Sequence, residues 1–176
     1  MEGKALSDSG VKSAEAAEQA SDGRQGMIYL TRRAEFSASH YYHSPALSAE
    51  ENLRLFGKCN NPHGHGHNYV LEVTVRGAID SRSGMVMDLK QLKEILRREV
   101  IDVLDHRFLN EEVPAFRHVI PTTENLTVEI WHMLAPQLEF CELDRIRLYE
   151  TPDLFVDYFG PGQAAPPGAG QTRAKD

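Results

Sequence analysis

The sequence predicts an α+β fold, an antiparallel sheet covered on one face by helices. Two runs of period two open the body of the chain, Ile28 to His40 and His67 to about Gly77, and two shorter ones close it, Asp144 to Glu150 and Leu154 to Phe159. Between them, large apolar residues recur at helical spacing in two stretches. Hairpin-like strand neighbours with helices grouped in the middle bury their apolar sides by stacking the helices on the sheet.

A chain of 176 residues is long enough for one core without disulfide or metal staples. Residues 1–26 are mostly Ala, Ser, Glu, Gly and Gln and hold no aromatic residue. They have too little apolar surface to offset the entropy of ordering, so they are expected to be a disordered tail. Residues 161–176, rich in Pro, Gly and Ala, are expected to be a second one. The folded domain is then 27–160. No apolar run reaches the ~18 to 20 residues of a membrane span, and no signal or transit segment is legible. Cys59 and Cys141 are the two cysteines, too few for a disulfide framework, and thiols kept reduced predict a cytoplasmic protein. A formal charge of −7 argues against nucleic-acid binding. An anionic substrate would need a local cluster of cations.

In the first strand Ile28, Leu30, Ala34, Phe36, Ala38 and His40 share a face that Arg32 interrupts. A polar excursion, 41–57, follows, with a helical turn at Ser48 to Phe56. After the second strand, a Gly-bearing turn near Gly84 leads to Asp88, which reads as an N-cap with Gln91 three residues on. Leu89, Leu92, Ile95, Leu96, Val100, Val103 and Leu104 then form an apolar stripe that ends near Asp105-His106. Thr122 or Thr123 caps a second helix through Leu126, Ile130, Met133 and Leu134, which Pro136 stops.

The chemistry is concentrated in Gly57-Lys58-Cys59-Asn60-Asn61-Pro62-His63-Gly64-His65-Gly66-His67-Asn68-Tyr69. His65 and His67 share a strand face with Tyr69, Leu71, Val73 and Val75. If the first two strands are antiparallel neighbours, His40 meets them, and three imidazoles with a fourth position open make a catalytic zinc site. Taken alone, His40 suits a hydrogen-bonded strand end better than a metal ligand. Lys58 beside Cys59 favours thiolate, although a lone cysteine also serves as a small buried hydrophobe, the role left to Cys141. Asp105-His106 is either a carboxylate-oriented base or a helix-end capping pair. Glu150 follows Ile146 and Leu148 on one strand face. Turned inward it needs a ligand carrying N–H groups, and at an edge it faces water.

Phe36-Ser37-Ala38-Ser39-His40, His43 to Leu53, Cys59 to Tyr69, Gly84-Met85-Val86-Met87, Leu104-Asp105-His106, Thr122-Thr123-Glu124-Asn125 and Tyr149-Glu150-Thr151 together resemble the animal type of the 6-pyruvoyl-tetrahydropterin synthase family. The likeness spans about residues 28–160. It implies a tunnelling fold: a four-stranded antiparallel sheet with two helices on one face, trimers closing a twelve-stranded β-barrel, and two trimers stacked as a homohexamer. It implies a lyase that converts 7,8-dihydroneopterin triphosphate to 6-pyruvoyl-tetrahydropterin with release of triphosphate, using zinc and magnesium, in tetrahydrobiopterin biosynthesis. On matching positions, His40, His65 and His67 bind zinc, Cys59 is the base, Asp105 and His106 form its relay, Glu150 anchors the pterin, and Thr122 and Thr123 line the pocket. His63 stands where relatives often have asparagine. Lys58, Arg54, Arg32 and Arg33 are the candidates to meet the triphosphate. The rivals are a 6-carboxytetrahydropterin synthase, whose thiol-to-histidine interval is shorter, and a zinc- or pterin-binding module without catalysis.

Overall fold

The structure is a computed structural model that describes residues 26–165. The tail expected over 1–26 lies outside the described residues except for Gly26, as does the part of the second tail from residue 166 onward. The chain runs β1 (Ile28–His40), α1 (Ala49–Phe56), β2 (His65–Gly77), α2 (Leu89–Leu96), β3 (Arg107–Phe108), α3 (Leu109–Glu112), α4 (Thr123–Leu134), β4 (Glu142–Thr151) and β5 (Leu154–Tyr158). These strands form one open sheet in the order β3-β1-β2-β4-β5. The four strands expected from periodicity are all present. The fifth, β3, pairs in parallel with Ala38 and Ser39, and two residues are too few to carry a period. The antiparallel description therefore holds for every pair but this one.

β1 and β2 pair over their whole length, from Ile28 opposite Gly77 to His40 opposite His65. β2 thus starts two residues before the alternation suggested, because Gly64 permits a close approach. Its φ is +70°, and a Cβ there would lie 3.1 Å from the His40 carbonyl oxygen and 3.1 Å from the Phe108 ring. Only glycine lets the chain turn and enter the ladder at that point.

Phe36 and Ala38 from β1, Tyr69, Leu71, Val73 and Val75 from β2, and Ile146 and Leu148 from β4 are buried on one face. Leu92, Ile95 and Leu96 of α2 and Leu126, Ile130 and Leu134 of α4 join them in a single cluster. The helical stripe of α2 continues through a π-type segment, Arg97–Ile101, and a last turn, Asp102–Leu104, which keep Val100 and Leu104 buried. Asp88 caps α2 by accepting from the Lys90 amide at 2.8 Å, without the reciprocal bond expected from Gln91. Thr122 is the cap of α4.

The excursion between β1 and β2 is fastened by Asn52. Its Oδ1 accepts from the Ser44 amide at 2.8 Å, and its Nδ2 donates to the carbonyls of Ser44, Leu47 and Ser48 at 2.9, 3.1 and 3.0 Å. A fully buried amide so satisfied holds a polar loop in one conformation. Ser48 and Glu51 close a capping box at the start of α1.

Beyond β5, Gly160 packs against Trp131. Its φ is +97°, and an added Cβ would lie 2.5 Å from Trp131 Cζ2. Gly160→Ala combines a strained backbone with overpacking, and is expected to cost at least about 2 kcal/mol. The melting temperature should then fall by roughly 4–8 °C, and an unchanged transition would show that this turn yields without cost.

Candidate active site

Pairing of β1 with β2 brings the histidines together. His40 faces His65, and Ala38 faces His67, so the two imidazoles of β2 stand beside the end of β1 on the face that His40 shares. His40 Nε2 is 3.2 Å from His65 Nε2. Two imidazole nitrogens bound to one tetrahedral zinc at ~2.0–2.1 Å lie about 3.3 Å apart, so the spacing fits a shared cation. His40 is fully buried, and its Nδ1 is 2.9 Å from the Pro121 carbonyl oxygen. A carbonyl only accepts, so Nδ1 carries the proton and Nε2 presents its lone pair. Tyr69 Oη, 3.1 Å from the same Nδ1, then accepts rather than donates.

Burial, and after it the neighbouring His65 and His67, lower the His40 pKa to about 4. His65 is lowered as well, by burial first and then by His67. Both rings are therefore neutral near pH 7, as metal ligands must be. His65 Nδ1 and His67 Nε2 are buried without a hydrogen-bond partner among the described residues.

Glu150 occupies the side that the sequence reading left open. Its Oε1 is 3.1 Å from His67 Nε2 and 3.5 Å from His40 Nε2, and the carboxylate side chain is 11% exposed. The four residues His40, His65, His67 and Glu150 offer ligand atoms that all lie within 4.8 Å of one another. A bulge aims it there: Tyr149 pairs with Phe155 and Thr151 with Leu154, so Glu150 is the extra residue of β4, and such a residue redirects its side chain. With His40 neutral, that contact is no ion pair. A nearly buried carboxylate that converges with the neutral imidazoles of His40 and His65 calls for a cation, and the donor set is one that zinc accepts.

Cys59 sits in a short turn, Gly57–Asn60, and its carbonyl accepts from the Tyr42 amide at 2.8 Å. Burial first, and then the Glu150 charge, push its thiol pKa up. That corrects the expectation drawn from Lys58, whose exposed ammonium is screened by solvent while the carboxylate is not. Thr123 is buried with its Oγ1 unpartnered among the described residues, whereas the Thr122 hydroxyl is committed to the Asn125 amide at 3.3 Å. Of the two threonines expected in the pocket, Thr123 is the one with a bond to offer.

Asp105 and His106 form their pair, with Nδ1 of His106 2.8 Å from Asp105 Oδ2. Asp105 Oδ1 accepts from the Ser37 amide at 2.8 Å, and this bond leads the causes that hold its carboxyl below the usual range. His106 has φ of +58°, and its side chain is 83% exposed. It lines an open cleft of about 400 Å³ with Ser37, Ser39, Asn68 and Arg107. Ser37, Ser39 and Asn68 alternate with the buried residues of β1 and β2, and His67 also borders the cleft, but Asp105 and His106 are not among the residues that converge with His40, His65 and His67. Arg33 pairs with Glu35 at 3.3 Å on an exposed part of β1, while Arg54 and Lys58 are exposed on the segment that leads to Cys59.

The residue missed by the sequence reading is Tyr42. It continues the alternation Phe36, Ala38, His40 beyond the strand, and its ring meets His40 edge-on at 4.8 Å between centroids. That period was the signal.

A sequence model described as 6-pyruvoyl tetrahydropterin synthase matches residues 29–161. The chain belongs to the 6-pyruvoyl tetrahydropterin synthase family. It is an enzyme of that family, in tetrahydrobiopterin biosynthesis. A 6-pyruvoyl tetrahydrobiopterin synthase of Drosophila melanogaster is 49% identical over 139 residues, covering 78% of this chain and 83% of that one. The structure of the Caenorhabditis elegans 6-pyruvoyl tetrahydropterin synthase superposes with a TM-score of 0.73 at 39% identity, covering 78% of this chain and 99% of that one. A 6-carboxy-5,6,7,8-tetrahydropterin synthase of Rickettsia bellii is 28% identical over 150 residues, covering 74% of this chain and 99% of that one. No helix among the described residues is long and apolar enough to cross a membrane.

Proposed function

We propose that this synthase is a zinc-dependent lyase that converts 7,8-dihydroneopterin triphosphate to 6-pyruvoyl-tetrahydropterin and triphosphate. The observation that carries the proposal is the convergence of His40, His65, His67 and Glu150 within 4.8 Å, with the Cys59 thiol influenced by the same carboxylate. His40, His65 and His67 would hold the zinc. When bound, it polarises the C–O bonds of the substrate side chain and makes the adjacent C–H more acidic. Cys59 as thiolate takes the proton from that carbon, and a proton delivered to N5 of the ring balances the shift. Loss of triphosphate from the third side-chain carbon then yields two ketones without an external oxidant. Magnesium and the cations Lys58 and Arg54 would meet the triphosphate.

The open sheet supports assembly, since both edges leave strand groups to pair. We place three chains around a β-barrel and two trimers in a homohexamer. In that arrangement a second copy would bring its Asp105–His106 pair to Cys59, because the imidazole of one chain is exposed and is not among the residues that converge with the histidine cluster. The folded domain is taken as 27–160, and a cytoplasmic location goes with the two free thiols.

Glu150 has two readings. As pterin anchor, its two oxygens accept from a ring N–H and the 2-amino group. As metal ligand, it fills the fourth position in the absence of substrate, a reading favoured by its 3.1 Å approach to His67 Nε2. Glu150→Gln separates them. The anchor predicts retained zinc and a loss of about 2–4 kcal/mol, or roughly 30- to 1000-fold in kcat/KM. The ligand reading predicts weaker zinc binding before any substrate is added. Unaltered kinetics with unaltered zinc would eliminate both.

The whole proposal is tested by mixing purified protein, dihydroneopterin triphosphate and Mg²⁺, then following triphosphate release and product mass. A product with the mass of 6-carboxytetrahydropterin would replace it with the rival activity.

A further inference from the structure

Every acceptor in the site has a use in the proposed reaction, but the chain must also supply neutral donors. The substrate side chain starts with two hydroxyls, which become two carbonyls in the product, and each oxygen gains negative charge as a proton leaves a neighbouring carbon. Imidazoles that turn lone pairs to a cation cannot donate from those nitrogens, and neither a carboxylate nor a thiolate donates at all. Two hydroxyls answer this need. Thr123 Oγ1 is buried and completes no hydrogen bond among the described residues. The phenol of Tyr42 lies within hydrogen-bonding reach of it, so the two hydroxyls form one polar pair, and Glu150 and Cys59 are also near the phenol.

The backbone explains how Tyr42 is held there. Its amide donates to the Cys59 carbonyl at 2.8 Å, and its carbonyl accepts from Asn60 Nδ2 at 2.7 Å. Its ring stands edge-on to His40 at 4.8 Å and to Phe56 at 5.9 Å between centroids. Tyr42 is thereby braced on the metal-ligand side by His40 and on the thiol side by the Cys59 turn. A ring clamped at both ends points its one polar atom with little freedom, and such fixed donors stabilise charge that develops during reaction.

We propose that Tyr42 is a further catalytic residue, whose O–H, together with that of Thr123, donates to an oxygen of the substrate side chain as charge develops on it. The inference rests on the substrate proposed above. The oxygen gains most charge after proton loss, so the bond strengthens in the transition state and acts on turnover more than on affinity.

The test is Tyr42→Phe, which keeps the ring and its contact with His40 and removes only the hydroxyl. Metal content and melting temperature are measured alongside kinetics, and affinity is read from the fluorescence of neopterin, a pterin with the same carbon side chain and no phosphate. The expected result is a kcat lowered by about 10- to 100-fold, below the span found for a single oxyanion donor because Thr123 remains. Zinc content, melting temperature and neopterin affinity should match the parent, the last within about threefold. A parent-like kcat overturns the proposal, as does a fall in affinity that accounts for the whole loss. A variant that loses zinc or melts early in proportion to its activity also overturns it, because the hydroxyl would then be structural. If the parent releases no triphosphate from dihydroneopterin triphosphate, the substrate assignment falls and this role falls with it. A parent that reacts beside an unaffected Tyr42→Phe refutes only the role of Tyr42.

Discussion

Replacing Cys59 with alanine is expected to lower turnover by about two to four orders of magnitude, the usual worth of a positioned general base. The substitution removes the proton acceptor but none of His40, His65, His67 or Glu150, which converge without it. Zinc should be retained, and affinity for dihydroneopterin triphosphate should stay within about tenfold of the parent, less than ~1.4 kcal/mol. The pH profile follows from the thiol's surroundings. Burial and the Glu150 charge push its pKa above the ordinary value, so activity should rise with pH and keep rising into the alkaline range. A cation held by the imidazoles draws the same pKa down, and chelating the metal should shift the pH dependence of alkylation upward. Bound substrate should protect the thiol. Loss of zinc from Cys59→Ala would make the thiol a ligand, and full turnover would leave it a structural residue.

The second large effect is expected at the metal. His65→Ala should strip zinc and activity together. Its Nε2 lies 3.2 Å from that of His40, and loss of a direct ligand should exceed the roughly 10- to 100-fold in metal affinity that loss of an outer partner costs. Metal analysis showing near-stoichiometric zinc in the variant would remove His65 from the set. Acid should act in the same direction on the parent. The folded pKa of His40 is lowered to about 4, while the unfolded chain titrates near the ordinary histidine value of ~6.5. Between these limits the unfolded state binds a proton that folded His40 does not, so this contribution is present above about pH 6.5 and is lost as pH falls toward 4. Zinc release and the fall in melting temperature should share that window.

Much of this could be read from local pattern alone. Period two placed His40, His65 and His67 on inward faces, helical spacing marked α2 and α4, and Glu150 shared a face with Ile146 and Leu148 that left open whether it turned inward or to water. These are consequences of side-chain direction along one element, and a single chain segment contains all the information needed. What the tertiary structure decided depends on distance between segments. Register set His40 opposite His65, and the bulge at Glu150 carried its carboxylate to His67, which no period announces. Desolvation by residues far apart in sequence made the Cys59 thiol harder to ionise despite Lys58 next to it. The two residues of β3 pair only because β1 offers an edge. Asp105 and His106 are adjacent in sequence and do pair, yet they do not join the residues that converge with His40, His65 and His67, because adjacency along a chain says nothing about where a loop emerges relative to a distant cluster.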